Sequence, residues 1–119
     1  MHTMPTILYG IKNCDTVRKA RAWLDAHGIS YRFHDLRSDG IDAATLNTWL
    51  QQVDTATLIN TRGTTWRQLP ENARQIGDNG TAVRLMLEHP TLIKRPVLLH
   101  DGKITVGFTT AHYANLFGL

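Results

Sequence analysis

Cys14 is the only cysteine in the chain, and its neighbours in the run Lys12-Asn13-Cys14-Asp15-Thr16 are polar on both sides. A free cysteine usually packs as a small buried hydrophobe. A core position would not be flanked in this way, so Cys14 reads as a reactive thiol. The nucleophile in thiol chemistry is the thiolate, which needs surroundings that favour negative charge. Three sources are available. Cys14 stands just before or within the first turn of an expected helix, where unpaired N–H groups and the positive end of the helix dipole face outward. Lys12 lies two residues away, and Arg62 and Arg95 can approach in three dimensions.

Two further segments carry groups suited to this chemistry. Arg62-Gly63-Thr64-Thr65-Trp66-Arg67 is rich in donors and has a flexible glycine, and a guanidinium fork suits an oxyanion or a carboxylate equally well. Arg95-Pro96 comes just before the apolar run Val97-Leu98-Leu99, and a proline is allowed at the first residue of a strand because it has no N–H to give to the ladder. The six histidines (His2, His27, His34, His89, His100, His112) show no ligand spacing and there is no second cysteine, so no metal site is expected. Trp23 and Trp49 read as core residues on apolar helix faces. No phosphate-binding loop, dinucleotide fingerprint or serine nucleophile motif is present.

The elements that must position these residues follow from periodicity. Thr6 to Gly10 is a short apolar run closed by glycine and reads as a buried strand. From Asp15 to His27 a helical face of Thr16, Ala20, Trp23 and Leu24 is expected, with Gly28 as its stop. Ile29 to Leu36 alternates with a period of two, which makes a second strand, parallel to the first across a βαβ crossover. Asp42 caps a helix built on Leu46, Trp49, Leu50 and Val53. Between Thr55 and Gly80 the periodicity is poor, with a short helix expected over Glu71 to Ile76. Thr81 to His89 reads as helix through Val83, Met86 and Leu87 and ends at Pro90. Val97 to His100, Asp101-Gly102 and Lys103 to Phe108 form a hairpin, and Thr109 or Thr110 caps a last helix from Ala111 to Phe117.

The resulting order is β-α-β, a helical insertion, then β-β-α. This is the thioredoxin-like arrangement, an α/β fold with a four-stranded mixed sheet flanked by helices and a central helical insertion. At 119 residues the chain is expected to be one domain, 1–119. No run approaches the roughly 18 to 20 apolar residues of a membrane span, and the start Met1-His2-Thr3-Met4-Pro5 lacks the basic head and apolar run of a secretory signal. The net charge of +3 is a weak electrostatic footprint unless it is concentrated on one face, and no nucleic-acid partner is expected. A lone cysteine excludes an internal disulfide and agrees with a reducing, cytoplasmic setting.

Three segments in order, Leu8-Tyr9-Gly10-Ile11-Lys12-Asn13-Cys14-Asp15-Thr16-Val17-Arg18-Lys19-Ala20, then Asn60 to Arg67, then Ile93-Lys94-Arg95-Pro96 before a strand, resemble the arsenate reductase-like (ArsC/Spx) family, and most of all its small YffB-type branch. The resemblance runs from Ile7 to Phe117. It implies that Cys14 is the catalytic thiol, that Lys12 and Asn13 belong to the active-site loop, that Arg62 and Arg95 match two oxyanion-binding arginines, and that Pro96 matches the cis-proline of thioredoxin folds. It also implies a glutathione-dependent monothiol oxidoreductase acting as a monomer. With no second cysteine, a covalent adduct on Cys14 must be resolved by an external thiol, glutathione as co-substrate, with glutaredoxin as a further partner. Two departures shape the expectation. The arsenate reductases carry a third arginine after the hairpin, whereas Ile104 to Leu119 contains no lysine or arginine, only His112. This leaves the electrophile open between a disulfide sulfur and an arsenate-like oxyanion. The Spx regulators commonly carry a C-x-x-C switch, and here Val17 takes the second position. The alternative is an Spx-like regulator that binds RNA polymerase without significant catalysis.

Overall fold

The computed structural model describes residues 5–119; His2 and the rest of the N-terminal run considered for a signal, up to Met4, lie outside them. The contacts divide the chain into two compact units, one made of the segments up to Asp35 and from Arg95 onward, the other of Leu36–Lys94.

The first unit holds the sheet. Strand β1 (Ile7–Gly10) is buried at every position, as a short, purely apolar central strand must be. Helix α1 (Asp15–Ala26) follows, then β2 (Arg32–Asp35). Strands β3 (Val97–His100) and β4 (Lys103–Val106) make the hairpin. The turn between them places Asp101 at φ 55° and Gly102 at φ 78°, the two left-handed residues that a two-residue hairpin matched to strand twist requires. The strand order is β2-β1-β3-β4. The β1–β2 pair is parallel, while β1–β3 and β3–β4 are antiparallel, so the sheet is mixed. The last helix, whose range Thr110–Leu116 makes it α6 once the intervening helices are counted, is capped by Thr109, whose hydroxyl accepts the His112 N–H at 3.1 Å.

Two expectations for this unit need correction. Strand β2 is half the anticipated length: Ile29 to Tyr31 alternate suitably, but β1 offers only four residues, and its partners for β2 are Arg32 to Asp35. The buried stripe of α1 is Val17, Ala20 and Leu24, with Thr16 exposed. The helix begins at Asp15 behind a Cys14 cap, and this phase turns Val17 onto Leu8, Leu98 and Tyr113 in a single cluster. Trp23 packs at its margin, edge-on to Tyr113 with ring centroids 5.7 Å apart.

The second unit is helical: α2 (Ala43–Leu50), α3 (Thr55–Leu58), α4 (Thr64–Gln68) and α5 (Asn79–Glu88), with single 3₁₀ turns at Glu71–Arg74 and Pro90–Leu92. Asp42 caps α2 as expected, accepting the Thr45 N–H at 2.8 Å. The same device, unanticipated, starts α3 and α5: Asp54 accepts from Thr57 and Asp78 from Thr81. Helix α5 therefore begins two residues earlier than its apolar pattern suggested. Its buried side is Ala82, Val83, Leu85 and Met86, with Leu87 38% exposed rather than in the core. The helix expected over Glu71 to Ile76 is only the 3₁₀ turn. Trp49 is buried, and α2 packs on α5. The sequence order is thus β-α-β, helical insertion, β-β-α, which is the thioredoxin-like topology with flanking helices.

Candidate active site

The geometry around Cys14 starts at Gly10. An added Cβ there would stand 2.7 and 2.9 Å from the two Cγ atoms of Val17, so only glycine lets the end of β1 pass this close to the second residue-row of α1. The chain then turns at Lys12 and Asn13, both exposed, and reaches Cys14 in extended conformation, φ −122° and ψ 123°. Cys14 is the N-cap of α1: its carbonyl accepts the Arg18 N–H at 2.9 Å, while its side chain makes no capping hydrogen bond. The first-turn N–H groups of Asp15, Thr16 and Val17 precede the first intrahelical bond, as helix geometry dictates, and they can serve an anion held at the sulfur. The thiol is half-buried and its side chain packs on the Leu8–Val17–Tyr113 cluster.

Asp15 adds a negative charge beside the cysteine, but Arg18 one turn on forms an ion pair with it. Both side chains are largely exposed, so the pair contributes little stability. Its consequence is local neutrality at the helix start. Arg18 was not singled out from the sequence, although an Asp followed three residues later by Arg is the spacing that forms such pairs on a helix.

The sheet register brings a second group to the same end of the sheet. Tyr9 pairs with Val97 and Val97 with Val106, so the next row runs Gly10, Pro96, Gly107. Pro96 is buried, the Arg95–Pro96 bond is cis, and the Pro96 carbonyl accepts the Gly107 N–H at 2.8 Å. Arg95, half-buried, stands directly before it. Lys12, Asn13, Cys14, Arg95 and Pro96 therefore share one end of the first unit. Tyr113, in the cluster on which Cys14 packs, is fully buried, its ring edge-on to Phe108 with centroids 4.7 Å apart. Burial pushes its phenol well above the ordinary tyrosine range.

Arg62 belongs to the second unit and is exposed. Its segment is a braced turn leading into α4. The Arg62 N–H donates to Asn60 Oδ1 at 3.1 Å, and the Arg62 carbonyl accepts from Arg67 Nη2 at 2.6 Å. Gly63 is the N-cap of α4, and a Cβ on it would meet Asn60 Nδ2 at 2.9 Å. Thr65 and Thr91 share a hydrogen bond between hydroxyls at 2.7 Å. Asn60 and Arg67 are thus braces for the Arg62 turn, a role that the donor-rich composition alone did not reveal.

Among the described residues, no group of three or more His, Cys, Asp or Glu side chains is gathered as a metal site would need, and no helix is long and apolar enough to cross a membrane. Three of the described histidines make ordinary contacts: His27 stacks on Trp23, His34 meets the Tyr9 ring and His100 bonds the Thr6 hydroxyl.

Comparison with known proteins agrees with this architecture. The solved structure of a YffB protein superposes with a TM-score of 0.89 at 45% identity, covering 92% of this chain and 96% of that one. An arsenate reductase (ArsC) related protein from Brucella melitensis is 50% identical with a TM-score of 0.76, covering 100% and 99% of the two chains. The global transcriptional regulator Spx 2 of Bacillus cereus is 31% identical over 104 residues, 86% of this chain and 79% of its own length. The ArsC family model matches residues 9–116, an interval that contains Cys14, Arg62, Arg95 and all of the sheet except Ile7 and Leu8 of β1, so the chain belongs to the ArsC family and has its arsenate reductase-like fold.

Proposed function

We propose that this protein is a glutathione-dependent monothiol oxidoreductase in which Cys14 is the nucleophile. The observation that carries the reading is the placement of Cys14: a half-buried thiol at the N-cap of α1, not spent on capping, at the sheet end that also holds Arg95 and the cis Pro96. The Cys14 thiolate attacks one sulfur of a disulfide, forming a protein–substrate disulfide and expelling the other sulfur as thiolate. Glutathione thiolate then attacks the substrate sulfur, so that Cys14 leaves as thiolate and a glutathione–substrate disulfide is released, which a second glutathione cleaves to the substrate thiol and oxidised glutathione. Electrons come from glutathione throughout, and no second protein cysteine is needed. Lys12 and Asn13 shape the entry loop, while Arg62 and Arg95 bind glutathione carboxylates or, with an arsenate-like electrophile, the oxyanion. Within this reading the chain is a single working domain, monomeric and cytoplasmic, with glutaredoxin as an additional electron donor.

Steady-state turnover of a small mixed disulfide by the purified protein, coupled to glutathione reductase, tests this. Glutathione-dependent turnover that disappears in Cys14→Ser supports the reading, and its absence from the intact protein rejects it. The 31% identity to an Spx regulator favours one other reading, a regulator that binds RNA polymerase. Pull-down from a cell extract separates the two, since only the regulator retains polymerase in stoichiometric amount.

A further inference from the structure

On the first unit, away from Cys14, a wide-open surface cavity of about 360 Å³ is lined by Arg21, Asp25, Ile29, Ser30, Tyr31 and Phe33. It opens between the C-terminal half of α1 and the entry to β2. Along the helix axis Arg21 and Asp25 stand roughly 10 and 16 Å beyond Cys14 at 1.5 Å per residue, so this is not the thiol site. Its volume is near the lower end of the roughly 300–1,000 Å³ typical of small-molecule sites.

The charges here are arranged unusually. Arg21 and Asp25 are four residues apart on one helix, the spacing at which opposite charges ordinarily pair. They do not pair. Arg21 Nε instead donates to the Tyr31 hydroxyl at 3.2 Å, and its guanidinium carbon lies 4.2 Å from the centroid of the Phe33 ring. A guanidinium fixed by an aromatic face and a hydroxyl is preorganised, and its two terminal nitrogens take no partner among the described residues. The Asp25 carboxylate is exposed and likewise takes none. Ile29, Tyr31 and Phe33 line the same cavity, and the Tyr31 O–H, an acceptor toward Arg21, still has its proton to donate.

We propose that this cavity binds a zwitterionic small molecule, an α-amino acid with an apolar side chain. Its carboxylate takes the Arg21 fork, its ammonium faces Asp25, and its side chain rests on Ile29 and the aromatic wall. A purely anionic ligand is disfavoured by Asp25, and a purely cationic one by Arg21. The proposal does not depend on the thiol chemistry of Cys14.

The test is an NMR titration of the full-length ¹⁵N-labelled protein with L-leucine, L-leucinamide and N-acetyl-L-leucine. The amides of Asp25, Ser30, Tyr31 and Phe33 should shift saturably with L-leucine at millimolar concentration, and at least fivefold more weakly with each blocked form. Asp25→Asn, at an exposed position where folding is not at stake, should abolish the preference for L-leucine over N-acetyl-L-leucine. Arg21→Lys, which keeps the charge but not the fork, should weaken L-leucine at least threefold. No shifts, shifts centred elsewhere, or equal affinity for all three compounds overturns the proposal.

Discussion

Replacing Gly10 by alanine is the sharpest way to test how the fold positions the thiol. The new Cβ would stand 2.7 and 2.9 Å from Val17 Cγ2 and Cγ1, where ordinary contact is 3.4–4 Å. Val17 is fully buried in the cluster with Leu8, Ala20, Leu24, Leu98 and Tyr113 and has nowhere to withdraw. Helix α1 must therefore move away from β1 by an amount on the order of 1 Å, and Cys14, its N-cap, moves with it. Overpacking of this kind costs about 1–3 kcal/mol, and for a chain of this length roughly 4 °C of melting temperature accompanies each kcal/mol. A displacement of about 1 Å at reacting atoms can lower a rate by up to about a hundredfold. Urea denaturation and the rate of glutathione adduct formation at Cys14 read the two effects separately. Val17→Ala removes the atoms that clash, so in the double variant part of both losses should return, with a coupling of about 1–2 kcal/mol between the sites. Wild-type stability in Gly10→Ala, or strictly additive losses in the pair, would refute the steric account.

Further outcomes follow from the buried and capping groups. Tyr113 is fully buried and its hydroxyl meets no hydrogen-bond partner among the described residues, so Tyr113→Phe should stabilise the protein by about 1 kcal/mol in urea denaturation. Because its phenol is raised in the folded state, the folded chain holds a proton that the unfolded chain releases above about pH 10. Stability should fall with pH beyond that point, and less steeply in Tyr113→Phe. Asp54 and Asp78 are lowered by hydrogen bonds from Thr57 and Thr81. A depressed carboxylate contributes stability above its unfolded value near pH 4, and this is lost as pH falls through the lower folded value. Thermal melts between about pH 5 and 2 should show that loss, reduced in the Asp54→Asn/Asp78→Asn double variant. Arg62→Lys and Arg95→Lys keep the charge but lose the two-pronged geometry, and each should raise the KM for glutathione several-fold more than it lowers kcat.

What the sequence disclosed depended on the length scale of each signal. The β-α-β and β-β-α halves were legible because Asp15 to Ala26 spans three turns of helix and Asp101-Gly102 is a local turn signal that needs no tertiary information. The segment from Thr55 to Gly80 was not. Helices α3 and α4 have four and five residues, too few for a 3.6-residue period to register. They are held by Asp54 as a cap, Gly63 against Asn60, and the burial of Leu58, Ile59 and Leu69. The Asp-x-x-Thr spacing at Asp54 and Asp78 is a local capping signal: no clear apolar period follows Asp54 to support it, while the period after Asp78 shows that a helix forms but not where it starts. Cys14 could be chosen from its polar neighbours and its place before a helix, yet the need for Gly10 opposite Val17 is a contact between strand and helix that no linear pattern carries. Strand β2 was overextended for a similar reason: alternation shows which residues can pair, while the partner strand decides how many do.

The central claim, that Cys14 is a working nucleophile resolved by an external thiol, is tested most directly by intact-protein mass spectrometry of the native chain at neutral pH. Exposed to oxidised glutathione, the protein should gain one glutathione per chain, mapped to Cys14, and reduced glutathione should then remove it completely. A folded protein that takes up no glutathione, or reacts at Cys14 only after denaturation, would contradict the account.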